Sequence, residues 1–250
     1  MKKITEFIKF ILAIYFATIT AIGFIVLYPG FAITLGNPKW YNYGHFLRKV
    51  WGHWLFFCGV IRVKHMEEVS FDKKNTAYII APNHTSKLDI VTLTVKLHIN
   101  FNFMAKIELA RVPVFGIFFR TIDIAVDRKN ARHAAKAYQR AVNQLKNEKK
   151  SIVVFPEGTI PGNTPKLGRF KDGAFKLAID TQTPILPVTI IKNWEILPDN
   201  GKLRFKPGKV FQYVHAPIET KGLTMEDIPE LKHTIHDLMA KKLAEYGYHQ

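Results

Sequence analysis

Polar and apolar positions divide this chain into two regimes. From Phe10 to Tyr28, nineteen residues pass without a charge, and Ile, Leu, Phe, Ala and Val dominate. As a helix rising 1.5 Å per residue, that run reaches roughly 28 Å, close to the ~30 Å hydrocarbon core of a bilayer. Pro29-Gly30 reads as a break, after which Phe31 to Leu35 resumes the apolar pattern. A second, aromatic-rich stretch, WYNYGHFLRKVWGHWLFFCGVI, covers residues 40–61. The pattern predicts a helical hairpin lying in one leaflet, with a single span as the alternative. A cleavable leader would have a shorter apolar region followed by a small-residue cleavage site, so the segment is expected to stay on the chain.

Beyond Val60 the period changes. TAYIIA (76–81), FNFMA (101–105), IDIAV (122–126), SIVVF (151–155), PILPVTI (184–190) and KVFQYVH (209–215) are short apolar runs that predict strands. Residues 88–97, 130–148, 171–180 and 225–246 predict helices. This alternation argues for an α/β fold, with a mixed, largely parallel sheet flanked by helices. The expected division is a membrane-anchoring helical segment at 1–60 and an α/β domain at 61–250.

Charge narrows the partners. The chain carries 36 Lys/Arg against 20 Asp/Glu, a formal +16, which points to anionic partners. Residues 1–65 hold eight Lys/Arg and a single acid, Glu6, together with Trp40, Trp51 and Trp54. Aromatic rings among basic residues suit an anionic membrane surface. No base-stacking module or recognition helix is visible, so nucleic acid is not an expected partner. The single cysteine, Cys58, excludes an internal disulfide and a cysteine-based metal cluster.

Three polar clusters follow strand candidates. In Asn83-His84-Thr85-Ser86-Lys87-Leu88-Asp89, Ser86 with an acid three residues later reads as a helix cap. Within one helix, positions i and i+5 diverge by about 140°. His84 and Asp89 therefore meet only if His84 lies in the preceding loop, where a Ser86 cap places it. A histidine with a carboxylate partner is a common general-base arrangement; a capped helix start without chemistry is the other reading, and this stretch alone leaves both open. In FPEGT (155–159), Pro156 closes the strand, Gly158 lets the chain turn and Glu157 stands at the edge. Lys166, Arg169 and Lys171 follow near a helix start and suit a phosphate. In Val126-Asp127-Arg128 the guanidinium offers a planar, two-pronged phosphate contact. A serine hydrolase would need a GxSxG elbow, and the chain has none.

NHTSKLD, FPEGT, VDR and ILPV (185–188) resemble, in order and spacing, the signature blocks of the glycerolipid acyltransferases. The likeness runs from about residue 60 to 220 and is nearest to the bacterial 1-acylglycerol-3-phosphate O-acyltransferases, the lysophosphatidic acid acyltransferases. Two positions depart: Ile160 stands where the family often has Arg, and Ile122 where it often has Gly. The resemblance implies transfer of an acyl group from a thioester, acyl-CoA or acyl carrier protein, to the sn-2 hydroxyl of 1-acylglycerol 3-phosphate. The product would be phosphatidate, in phospholipid biosynthesis. It implies His84 as base and Asp89 as its partner, with Arg128, Glu157, Gly158, Thr159, Lys171 and Lys106 around the acceptor's glycerol phosphate. No metal or other cofactor is expected, because a thioester is already activated. Membrane lipids and the acyl donor are the implied partners. The implied location is the cell membrane (the bacterial inner membrane), with the catalytic domain on the cytoplasmic side. VPVFGIFF (112–119) is a candidate lining for the acyl chain. Ile160 keeps open another acceptor, such as a lyso-ornithine lipid, glycerol 3-phosphate or another lysophospholipid. A non-catalytic membrane protein that binds anionic lipid is the alternative outside this chemistry.

Overall fold

Ile79, Ile80, Ile152 and Val153 are consecutive pairs with no exposed surface, as expected of strands covered on both faces of a parallel sheet. The computed structural model describes residues 2–112 and 116–249. The chain runs α1 (Lys2–Gly36), α2 (Tyr41–Cys58), β1 (Ile61–Glu67), β2 (Ile79–Pro82), α3 (Leu88–Lys96), β3 (Phe101–Lys106), α4 (Gly116–Thr121) and β4 (Ile124–Val126). It continues with α5 (Ala131–Lys146), β5 (Ser151–Val153), α6 (Gly173–Thr181), β6 (Ile185–Ile191), α7 (Asn193–Ile196), β7 (Gly208–Val214) and α8 (Ile228–Ala244). Seven strands form one sheet in the order β1-β7-β6-β2-β5-β3-β4. Pairings β2–β6, β2–β5, β5–β3 and β3–β4 are all parallel. This is the expected mixed, mostly parallel α/β sheet with flanking helices. β1 had no sequence signal: Arg62, Lys64 and Glu67 interrupt its apolar residues, and only Ile61 is buried.

The chain forms two compact units. The first joins Met1–His65 with Thr85–Leu97 and Ile191–Gln212. In it α1 and α2 form a helical hairpin, but the bend differs from the expected one. Pro29 lies inside α1, which continues to Gly36, and the chain turns at Asn37–Trp40, where the Asn37 side chain accepts from Lys39 N–H. A helix-interior proline removes one backbone hydrogen bond. Packing along α2 overrides that local loss. The Trp51 and Trp54 indoles donate to the carbonyls of Thr20 and Ile19, and Leu47 comes so close to Gly30 that a Cβ there would lie 2.9 Å from its methyl group. Ala13, Phe16, Phe24, Phe31 and Leu35 form the buried stripe of α1, whereas Phe7, Ile11, Ile22, Ile25 and Ile33 stay exposed. Among the described residues, α1 is the one helix long and apolar enough to cross a membrane.

The second unit comprises Met66–His84, His98–Ile190 and Tyr213–Gln250. Its core packs Ile79, Ala81, Ile124, Ile152 and Ile185 from the strands against Ala141, Phe175 and Met239 from α5, α6 and α8. His215 is buried beside it, with Nε2 2.7 Å from Thr189 Oγ1 and Nδ1 3.4 Å from Glu68 Oε2. Burial pushes this imidazole down from 6.5 to about 4, against the opposing pull of Glu68. The unfolded chain takes up a proton below 6.5 while the folded chain holds His215 neutral, so its contribution is full above 6.5 and lost as pH falls towards 4. The thermal unfolding midpoint is expected to fall across that window, and His215→Gln to flatten the dependence; melting curves between those two pH values check it.

Candidate active site

Parallel strands end at a common edge, and ligands in open α/β sheets gather there. His84 lies in the loop two residues beyond β2, Arg128 two beyond β4 and Glu157 four beyond β5. The loop after β2 has no ladder of its own, so its backbone groups need other partners. Asn83 is buried and grips β6 twice: Ile190 N–H donates to its Oδ1 at 2.7 Å and its Nδ2 donates to Ile190 O at 3.1 Å. His84 N–H donates to Glu157 Oε1 at 2.7 Å. The His84 ring stacks on Phe155, with centroids 4.0 Å apart and planes at 26°.

Glu157 stands at the expected edge but faces inward. It is 4 % exposed, and its second oxygen accepts from Gly168 N–H at 2.6 Å. The carboxylate thus ties the His84 loop to the turn before α6. Gly158 beside it adopts φ +71, in the left-handed region that favours glycine. A Cβ there would lie 3.1 and 3.2 Å from two guanidinium nitrogens of Arg128 and 3.2 Å from Lys171 Cδ. Arg128 Nη1 donates to Gly158 O at 3.3 Å, and Lys171 N–H donates to Pro156 O at 2.9 Å. Two exposed cations therefore converge on this turn, as a phosphate site requires. Thr159 is exposed on the same turn, and half-buried Lys106 ends β3 in register with Val126. Beside Arg128 opens a cavity of about 400 Å³, walled by Met104, Val126, Val154 and Leu177. The Tyr138 hydroxyl donates to Asp180 at its rim, and burial together with that carboxylate pushes the phenol up, keeping it protonated.

Asp89 belongs to the first unit and has no exposed surface. Its Oδ2 accepts from the N–H groups of Thr85 at 2.6 Å and Ser86 at 2.9 Å. Its Oδ1 accepts from Asn193 Nδ2 at 2.7 Å and from Thr85 Oγ1 at 3.3 Å. Ser86 Oγ in turn accepts from Leu88 N–H. Ser86 therefore bonds the first turn through its side chain, and Asp89 answers at the Ser86 N–H. The residue directly before α3 is nevertheless Lys87, which makes no side-chain cap; the helix begins at Leu88 and His84 is left in the loop.

The sequence reading missed the stacking role of Phe155, although that residue opens FPEGT. It also missed Asn193, whose surroundings give no local signal. Ile122 is a core residue, its carbonyl held by Gln144 Nε2, while Asp123 accepts from Phe103 N–H. Pro113, Val114 and Phe115 of the candidate acyl-lining stretch lie outside the described residues. Among the described residues, no group of three or more His, Cys, Asp and Glu side chains is arranged to hold a metal ion.

Residues 60–191 match the Acyltransferase family model. The chain belongs to the acyltransferase family. An acyltransferase of Schizosaccharomyces pombe is 33% identical over 175 residues, 69% of this chain and 62% of that one, so the chain spans less than two thirds of that relative's length. The 1-acyl-sn-glycerol-3-phosphate acyltransferase of Haemophilus influenzae is 31% identical over 187 residues, 74% of this chain and 75% of that one. The crystal structure of the 1-acyl-sn-glycerophosphate (LPA) acyltransferase PlsC from Thermotoga maritima aligns over 100% of this chain and 99% of its own. Its TM-score is 0.77 at 28% identity. The stretch matching the acyltransferase family contains His84, Asp89, Lys106, Arg128, Glu157 and Lys171; Asn193 lies two residues beyond it.

Glu157→Gln tests the buried carboxylate of this acyltransferase. A glutamine matches only one of the two backbone donors and turns its own N–H₂ towards the other, a penalty of about 1–3 kcal/mol. A lower thermal midpoint is expected, with an acyl-transfer rate reduced about tenfold or more; melting curves and initial rates on the same preparation check both.

Proposed function

We propose that the protein transfers a fatty acyl group from a thioester donor, acyl-CoA or acyl carrier protein, to the sn-2 hydroxyl of 1-acylglycerol 3-phosphate, producing phosphatidate. The observation that carries this reading is the convergence of Arg128 and Lys171 on the Gly158 turn, whose neighbour Glu157 binds the backbone of His84. A phosphate held by the two cations would bring the rest of its own molecule to the histidine. The apolar cavity beside Arg128 supports an acceptor that joins an anionic head to hydrocarbon. The names of the bacterial relative and of the Thermotoga maritima protein support the same acceptor.

In the proposed reaction His84 takes the proton of the sn-2 hydroxyl as its oxygen attacks the thioester carbonyl. Asp89 orients the imidazole and balances the imidazolium charge. The tetrahedral adduct collapses with cleavage of the C–S bond, and the proton passes from His84 to the departing thiolate, leaving a free thiol and a new ester. Arg128, Lys171 and Lys106 hold the acceptor phosphate, and Gly158 and Thr159 form the turn against which it rests. Glu157 acts on the acceptor through the loops it ties together. No metal or cofactor takes part in this scheme.

Lipid substrates place the enzyme at a membrane, and the exposed apolar face of α1 and the aromatic residues of α2 support attachment through the hairpin. A cell-membrane location with the active site facing the cytoplasm suits both candidate donors.

His84→Ala is expected to lower kcat by about 10²–10⁴, with Asp89→Asn also impaired. Incubation of the membrane-embedded enzyme with labelled acyl donor and 1-acylglycerol 3-phosphate should yield labelled phosphatidate. A stronger rate with glycerol 3-phosphate or a lyso-ornithine lipid would reassign the acceptor. Binding to liposomes should persist in 1 M salt, because apolar burial is not screened, and should weaken on Ile11→Asp with Ile25→Asp; flotation in a density gradient measures it.

A further inference from the structure

Asn193 is fully buried at the start of α7, immediately after β6. The preceding residue, Lys192, adopts φ 73, a left-handed conformation uncommon for a residue with a side chain. The turn that this creates points the Asn193 amide at α3. Its Nδ2 donates to Asp89 Oδ1 at 2.7 Å and to Thr92 Oγ1 at 3.0 Å. Thr92 Oγ1 meanwhile donates to Leu88 O at 3.1 Å, so the amide is locked between a carboxylate and a committed hydroxyl. The other end of the same amide, Oδ1, is buried without a hydrogen-bond partner. Leaving a carbonyl unsatisfied is unfavourable, and an apolar residue of similar size would remove that cost. Retaining an asparagine here makes sense if the N–H₂ end is what the site needs.

The surrounding segment grips the same loop twice more. Ser86 Oγ donates to Leu197 O at 2.6 Å, and exposed Lys87 pairs with Asp199 at 3.0 Å. Of these donors to Asp89, Thr85 and Ser86 stand in the loop directly before α3 and move with it. Asn193 comes from 104 residues further along the chain. It alone among these four hydrogen bonds fixes the Oδ1 side of the carboxylate to a separate element at short range.

We propose that Asn193 is a positioning residue for acyl transfer, acting through Asp89. Its amide fixes the rotation of the Asp89 carboxylate, so that the partner of His84 is held in one orientation before substrate arrives. This rests on the reading of His84 and Asp89 as base and partner. The matched family region ends two residues before Asn193, and none of the signature blocks contains it.

The test compares the full-length enzyme in lipid nanodiscs with Asn193→Ala, Asn193→Asp, His84→Ala and Asp89→Asn, measuring kcat, both KM values and the pH–rate profile. Asn193→Ala is expected to lower kcat by about 10- to 100-fold, the scale of a hydrogen bond to a charged group, with both KM values within about twofold. In Asn193→Asp the introduced carboxyl repels Asp89 when ionised and donates to it when protonated. Its kcat relative to wild type is therefore expected to rise as pH falls, a signature that loss of packing would not produce. The idea is overturned if Asn193→Ala keeps wild-type kcat, or loses activity only through KM. It is also overturned if the Asn193→Asp profile runs parallel to that of wild type, and this arm decides the matter if Asn193→Ala does not fold. Full activity in His84→Ala and Asp89→Asn would instead remove the base-and-partner reading itself, whatever the Asn193 variants do.

Discussion

A loop without a ladder must still satisfy its backbone, and here three successive amides do so on buried carboxylates. His84 N–H goes to Glu157; Thr85 and Ser86 N–H go to Asp89. Both acids are almost wholly buried, so the cost of desolvating each is offset by hydrogen bonds from groups that would otherwise be orphans. The two needs answer one another. Removing either acid would strand one or two amide donors, and removing the loop's geometry would strand an acid. Around this arrangement the other features find their reasons: Asn83 anchoring to Ile190, Gly168 giving its N–H to Glu157, and Ser86 starting α3 with its side chain.

The N-terminal hairpin obeys a different constraint. From Phe10 to its end at Gly36 α1 carries no charge, and α2 covers one stripe of it. Tryptophan indoles on α2 bond to carbonyls of α1, and Tyr15 reaches back to Cys58 O at 3.1 Å. These polar ties sit among apolar contacts between the two helices, such as Phe24 edge-on against Trp51. Phe205 stacks on Phe16 and donates its N–H to Lys9 O, so a second segment covers part of α1. Ile11, Ile22, Ile25 and Ile33 stay exposed as an apolar face compatible with hydrocarbon.

What could be read from the sequence was local. Each expected strand is present, because a short β-branched run bounded by turn residues carries its own signal. The cap at Ser86 was legible because side chain and backbone donor lie within three residues. β1 was hidden by its alternating charges. Pro29 misled because its local cost is outweighed by α2, a partner more than ten residues away. Asn193 and the inward turn of Glu157 could not be seen at all: their meaning lies in Asp89, Gly168 and the His84 amide, which only folding brings to them. That His84, Arg128 and Glu157 stand beyond strand ends could thus be read from the sequence, while the direction in which Glu157 faces depended on three-dimensional closure.

The use of Glu157 has a consequence for how the site is prepared. Both of its oxygens are committed to the main chain, so the segments carrying His84 and Gly168 have already surrendered their conformational freedom during folding. A ligand arriving there meets a surface with little remaining entropy to lose. The chain settles that cost once, at synthesis, and each later turnover begins from an already ordered floor.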